Sequence, residues 1–277
     1  MRALTFGAII GAGGAIGAAP ALAASNGTLL PHRAVYELDL LDSDARSVLT
    51  SAQGRLAFEL TGSRCDGFIM NTRFVLDTEL REGRTILNDY QSSTWENPEE
   101  NAFRFISKDY VDSQLSEEID GTAERTDGTV IIQLDKPDAK EVEIETQALF
   151  PVQHIMALLE AASTGETVFQ SMLFDGTDGG EKIYSTTAII GDRVESGVTE
   201  DDATPADEAL ADVPRWPIVI SYFDEAAEDS EDGLPIYEMS FTLFENGVTR
   251  SLVLDYGDFR LEGVLGDFEP LDVPDCG

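Results

Sequence analysis

The sequence predicts a mainly β fold, a long antiparallel meander curled around one amphipathic α-helix. Three observations carry that prediction. Apolar and polar residues alternate with a period of two over most of the chain, which turns one face of each strand inward and leaves the other in water. Turn signals such as Asp127-Gly128, Asp175-Gly176, Asp178-Gly179-Gly180 and Asn246-Gly247 separate these runs, and about a dozen successive strands joined by short turns form a meander. One segment alone has the period of a helix.

The strands come in order. Tyr36, Leu38 and Leu40 alternate with Glu37 and Asp39, and Leu56, Phe58 and Leu60 with Arg55, Ala57 and Glu59. Phe68, Met70, Phe74 and Leu76 continue the pattern around Thr72, and Phe103 and Phe105 flank Arg104. Later runs occupy 167–174, 183–190, 218–223, 237–244, 251–256 and 259–265. The Asn-Gly and Asp-Gly pairs suit type I′ hairpins, which need positive φ at both central residues. Between the two groups of strands, Val152, Ile155, Met156 and Leu159 stand at i, i+3, i+4 and i+7, the apolar stripe of a helix. Pro151 suits its first turn and Gly165 its exit. The concave face of a curved sheet is where such a stripe can be buried.

Residues 1–23 read as a secretory signal peptide. A short positive start at Met1-Arg2 precedes an uncharged Ala- and Gly-rich stretch, and Ala21-Leu22-Ala23 is a small-x-small cleavage site. The mature chain, 24–277, is expected to form one domain in the periplasm. No later segment holds about 18 uninterrupted apolar residues, so no transmembrane segment is expected after cleavage. Export to an oxidising compartment makes the chain's two cysteines, Cys65 and Cys276, candidates for a disulfide, with two buried free thiols as the alternative.

The chain of 277 residues carries 53 Asp plus Glu against 18 Lys plus Arg, a net charge of −35. Such a field repels phosphates and anionic headgroups, which excludes nucleic acid as a partner and favours neutral or basic protein surfaces. Two acidic stretches, 195–212 and 224–232, read as solvated connections.

Chemistry is sparse. There are two histidines, His32 and His154, both read as packing residues. With the cysteines paired, zinc lacks ligands. There is no Gly-x-Ser-x-Gly elbow and no phosphate-binding loop. The run Asp175-Gly176-Thr177-Asp178-Gly179-Gly180 lacks the order of a calcium loop and reads as a hairpin turn. No catalytic, cofactor-binding or metal-binding residue is therefore assigned. What is left is aromatic: 14 Phe, seven Tyr and two Trp, mostly at strand positions, which pack a core or line a concave apolar surface.

Several local strings, in this order, resemble the EipB family of cell-envelope integrity proteins: Leu30-Pro31-His32-Arg33-Ala34-Val35-Tyr36, Gly62-Ser63-Arg64-Cys65-Asp66-Gly67-Phe68, Phe150-Pro151-Val152-Gln153-His154, Leu234-Pro235-Ile236-Tyr237-Glu238, and Leu254-Asp255-Tyr256-Gly257-Asp258-Phe259 before the late Cys276. The resemblance covers nearly all of the mature chain. It implies a periplasmic protein whose sheet spirals as a half-barrel around the helix, a shape similar to that of lipoprotein carriers. It also implies a disulfide at Cys65 and Cys276, a role in envelope homeostasis, and no catalytic residues. The expected function is therefore non-enzymatic support of the envelope through binding another protein, with a carrier of a lipid or lipoprotein acyl chain as the alternative.

Overall fold

The computed structural model describes residues 29–45, 47–195, 210–224 and 233–274. The segment read as a signal peptide, most of both acidic stretches, and Cys276 lie outside them.

The first half of the chain makes eight strands: β1 (His32–Ser43), β2 (Leu49–Ser63), β3 (Gly67–Leu80), β4 (Thr85–Asn97), β5 (Ala102–Val111), β6 (Gln114–Thr126), β7 (Thr129–Lys136) and β8 (Lys140–Glu145). A helix, α1 (Pro151–Thr164), follows. Six more strands follow among the described residues: β9 (Val168–Leu173), β10 (Tyr184–Ile190), β11 (Arg215–Asp224), β12 (Tyr237–Phe244), β13 (Thr249–Asp255) and β14 (Phe259–Pro270). All fourteen strands form one sheet in the order β8-β7-β6-β5-β4-β3-β2-β1-β14-β13-β12-β11-β10-β9. Every paired neighbour is antiparallel, as the period-two pattern predicts, and the meander is broken only where β14 returns to pair with β1. The sheet stays open. Its edges are β8 and β9, and the chain between them brings the helix across the opening. Leu149, just before the helix, donates to the Met172 carbonyl at 2.8 Å and accepts from the Phe174 N–H at 2.9 Å, docking the crossing onto the β9 edge.

The turns follow the sequence only in part. Asp127 and Gly128 have φ of 50° and 83°, and they join Thr126 to Thr129 in a two-residue turn of the predicted primed kind. Asp112 and Ser113 do the same between β5 and β6, with φ of 51° and 64° and no glycine to announce them. At Asn246-Gly247 only Gly247 has positive φ, and the loop is longer than a two-residue turn. The Asp175–Gly180 run does not make a tight hairpin either. It sits in a long connection between β9 and β10 that contains a 3₁₀ turn at Asp178–Gly180.

The helix begins at Pro151 and ends on Gly165 in the left-handed region, φ 86°. Val152 and Leu159 of the expected stripe are buried, while Ile155 and Met156 are half-buried against the same core. His154, Leu158, Ala161 and Ala162 are buried as well, so the covered face is broader than the stripe and rotated from it. A helix lying inside a curved sheet is enclosed on more than one side, which a one-sided stripe does not describe. Of the acidic stretch 195–212, Leu210 is buried at 2% exposure, so the end of that stretch anchors in the core rather than in solvent.

A second cluster supports the helix entry. Phe103 stacks on Phe105 and Phe150 at 5.4 and 5.2 Å between ring centres, and Phe174 meets Phe105 edge-on at 5.5 Å. Gly176 closes over this group: its φ is +76°, and a Cβ there would lie 2.5 Å from ring carbons of Phe105. Gly176→Val is expected to destabilise the fold by about 3 kcal/mol, from left-handed strain plus overpacking. Gly179→Ala, at the same φ with open space around it, should cost about 1 kcal/mol. Urea unfolding of the two variants checks the ranking.

Candidate functional site

The described residues do not fill the concave face. A cavity of about 390 Å³ lies between the first turns of α1 and both halves of the sheet. Its apolar wall comes from Leu56, Phe58, Leu60 and Met70 on β2 and β3, from Val152 and Ile155 on α1, and from Ile220, Met239, Phe241 and Leu252 opposite. Neither Met156 nor Leu159 lines it. The polar wall is β4, whose Tyr90, Ser92 and Thr94 face inward at every second position. This strand is absent from the runs read in the sequence because its inward Ser92 and Thr94 are small and polar and leave no apolar stripe. The cavity size and its mainly apolar lining with a few polar groups match a small-molecule site.

Toward one rim the cavity continues into a wider mouth of about 580 Å³, sharing Tyr90, Asp175, Thr177, Tyr222 and Met239 with it. The far wall of this mouth is a row of rings taken from successive strands. Tyr184 meets Tyr222 at 6.3 Å, Tyr222 meets Tyr237 at 5.3 Å, Tyr237 meets Tyr256 at 5.2 Å, and Tyr256 stacks on Phe259 at 4.8 Å. Burial pushes the phenols of Tyr184, Tyr222 and Tyr237 upward, so all remain protonated. The sequence showed these tyrosines only as strand residues. Their alignment needs the register of five strands, β10 to β14, which no local pattern carries.

The run 175–180 holds the junction of cavity and mouth. Asp175 Oδ1 accepts from the Thr177 N–H at 3.0 Å and from its hydroxyl at 2.7 Å. Burial raises the Asp175 pKa, and those two bonds oppose the rise. Tyr184 donates to Asp178 at 2.7 Å, and Lys182 donates to the same carboxylate at 2.9 Å. The carboxylates that faintly suggested calcium are thus engaged in shaping the rim, and among the described residues no group of three His, Cys, Asp or Glu is placed to hold a metal.

Both histidines line the cavity. His32 Nδ1 lies 2.7 Å from the Leu30 carbonyl, so it carries the proton, and the ring sits between Phe58 and Phe268. His154 Nε2 lies 3.1 Å from the Thr186 hydroxyl. That hydroxyl also lies 3.0 Å from both the Ser171 carbonyl and the Ser171 hydroxyl. Burial pushes His154 down to about 4, which keeps it neutral. No carboxylate is among the hydrogen-bond partners of His154.

The helix entry is anchored by a residue that sequence reading passed over. Glu96, on β4 and 1% exposed, accepts from the N–H groups of Val152 at 2.6 Å and Gln153 at 2.8 Å. It caps α1 from another strand, because Phe150 at the cap position has no oxygen to offer. Arg125 completes the anchor, donating to the Ala148 carbonyl and to Asn101, both at 2.6 Å. Desolvation raises Glu96 to about 7 despite these bonds.

The end of β14 and the turn that carries Cys65 lie on the same side of the sheet. Leu271 donates to the Pro31 carbonyl at 2.8 Å, His32 pairs with both Pro270 and Leu60, and Cys65 lies in the turn that follows β2. Two strand spacings, roughly 10 Å, separate the end of β14 from the end of β2. The few residues from 271 to 276 can extend roughly 17 Å. Cys276 itself lies outside the described residues.

Among the described residues no helix is long and apolar enough to cross a membrane. Comparison with known proteins agrees with the sheet. A family model described as EipB-like matches residues 23–272. The cell envelope integrity protein EipB of Brucella abortus (strain 2308) is 36% identical over 261 residues, 94% of this chain and 90% of that protein. The crystal structure of a beta-barrel-like protein of a domain of unknown function from Brucella abortus superposes with a TM-score of 0.82 at 33% identity, covering 88% of this chain and 99% of that one. The chain belongs to the EipB-like family.

Proposed function

We propose that this chain supports cell-envelope integrity from the periplasm as a non-enzymatic binding protein, taking an apolar chain, such as the acyl chain of a lipid or lipoprotein, into its concave face. The observation that carries this reading is the unfilled cavity of about 390 Å³ beneath the helix. A helix that served only to complete a core would be expected to close that space, because interiors pack to crystal-like density. The family relative's name supports the envelope role. A Cys65–Cys276 disulfide fits the same reading, since it would fasten the β14 tail to the β2–β3 turn on the strands that carry the cavity wall.

Met239 stands where cavity and mouth join. Met239→Trp is expected to abolish co-purification of bound lipid, as read by native mass spectrometry, while leaving the circular dichroism spectrum unchanged. The variant should also fail to restore resistance to envelope stress in a deletion strain. Wild-type protein purified gently and found empty, with no affinity for any alkyl chain, would rule this reading out.

Binding of a protein is the second reading. β8 ends the sheet with one neighbour, and its exposed Glu141, Glu143 and Glu145 match a neutral or basic partner. Full complementation by Met239→Trp would favour it over the lipid reading.

A further inference from the structure

The mouth has two features that packing does not explain. Asp109 of β5 and Glu117 of β6 stand directly opposite each other in the strand ladder and both face the mouth. Like charges placed so destabilise a strand pair. Among the described residues neither has a basic partner, because the nearby bases point the other way: Lys108 and Lys136 pair with Glu118, and Arg104 with Asp120. The tyrosine row, whose rings are protonated, lines the same space as these two acids. Carboxylates and neutral aromatic faces together attract organic cations, the first by charge and the second by the ring quadrupole. The rim already holds one such group. The Lys182 ammonium lies 5.1 Å from the centre of the Tyr184 ring, and 2.9 and 3.0 Å from Asp178 and Asp224.

We propose that the mouth receives the cationic head, a primary or quaternary ammonium, of a single-chain amphiphile whose apolar tail lies in the inner cavity. The proposal rests on the reading of that cavity as an acyl-chain site and adds the chemistry of the head. An ammonium seated between the tyrosine rings and the Asp109–Glu117 pair would relieve the repulsion between the two carboxylates. An anionic head would add to it.

The test compares three probes with the same tail and different heads: dodecyltrimethylammonium, octaethylene glycol monododecyl ether and dodecanoate. Each is titrated calorimetrically below its critical micelle concentration in 0.15 M salt, where the overall charge is screened beyond about 8 Å. The cationic probe is expected to bind about tenfold more tightly than the neutral one, and the anionic probe more weakly than either. Asp109→Asn and Glu117→Gln should each reduce the preference for the cation several-fold, leave the neutral probe unaffected, and raise the melting temperature of the unliganded protein. Asp77→Asn, an exposed acid on the outer face, should change none of these. If the three heads bind alike, or if the cation preference survives both mouth variants, this inference is wrong while the acyl-chain reading stands. If no probe binds, both are wrong.

Discussion

Replacing either Cys65 or Cys276 with Ser is expected to lower unfolding stability under oxidising conditions by up to about 5 kcal/mol. The figure follows from the loop that the proposed bridge would close, which spans most of the chain and whose closure would remove entropy from the unfolded state. The native state should change little, because β14 remains paired to β1 through its own ladder with or without the bridge. The loss should therefore appear as a shifted denaturation midpoint with an unchanged native spectrum. It should also vanish on adding reductant, when wild type and both variants unfold together. Coincident curves for wild type and both variants without reductant would show that no such bridge forms. Because either substitution removes the bridge, the two variants should lose stability equally, and a loss in one variant alone would have another cause.

What could be read from the sequence was what depends on neighbours in the chain. The alternation of Tyr36, Leu38 and Leu40, or of Leu56, Phe58 and Leu60, needs no partner strand to be recognised, and neither do Pro151 and Gly165 around the helix. The site depends instead on residues far apart. Tyr90, Ser92 and Thr94 make the polar wall of the cavity, yet in sequence they are a polar stretch without a stripe. Asp109 and Glu117 become a like-charge pair only through the β5–β6 register. The tyrosine row requires β10 to β14 to stand side by side. Glu96 is one acid among 53 until the fold brings it beneath a helix 56 residues away. Where an acid is so common, only burial distinguishes the one that matters, and burial is a property of the finished fold.

That buried acid leads to the second large effect, on the pH dependence of stability. In the folded chain Glu96 holds its proton up to about pH 7, against an ordinary value of 4.5. Between those values the folded state binds more protons than the unfolded one, so stability falls as pH rises, by roughly 3 kcal/mol across the window. His154 does the opposite. Its folded value of about 4 lies below the ordinary 6.5, so the unfolded state binds more protons between them and stability rises with pH by a similar amount. The two slopes overlap between pH 4.5 and 6.5 and nearly cancel in the native protein. Removing one should expose the other. Relative to wild type, Glu96→Gln is expected to gain stability with rising pH between 4.5 and 7, and His154→Gln to lose it between 4 and 6.5. Glu96→Ala, which leaves the N–H groups of Val152 and Gln153 without an acceptor, should in addition be weaker by about 2 kcal/mol at low pH. Urea midpoints for wild type and the three variants at half-unit steps from pH 4 to 8 give the difference curves. A flat difference for Glu96→Gln would mean that this carboxylate is ionised throughout, with the two helix N–H groups outweighing its burial.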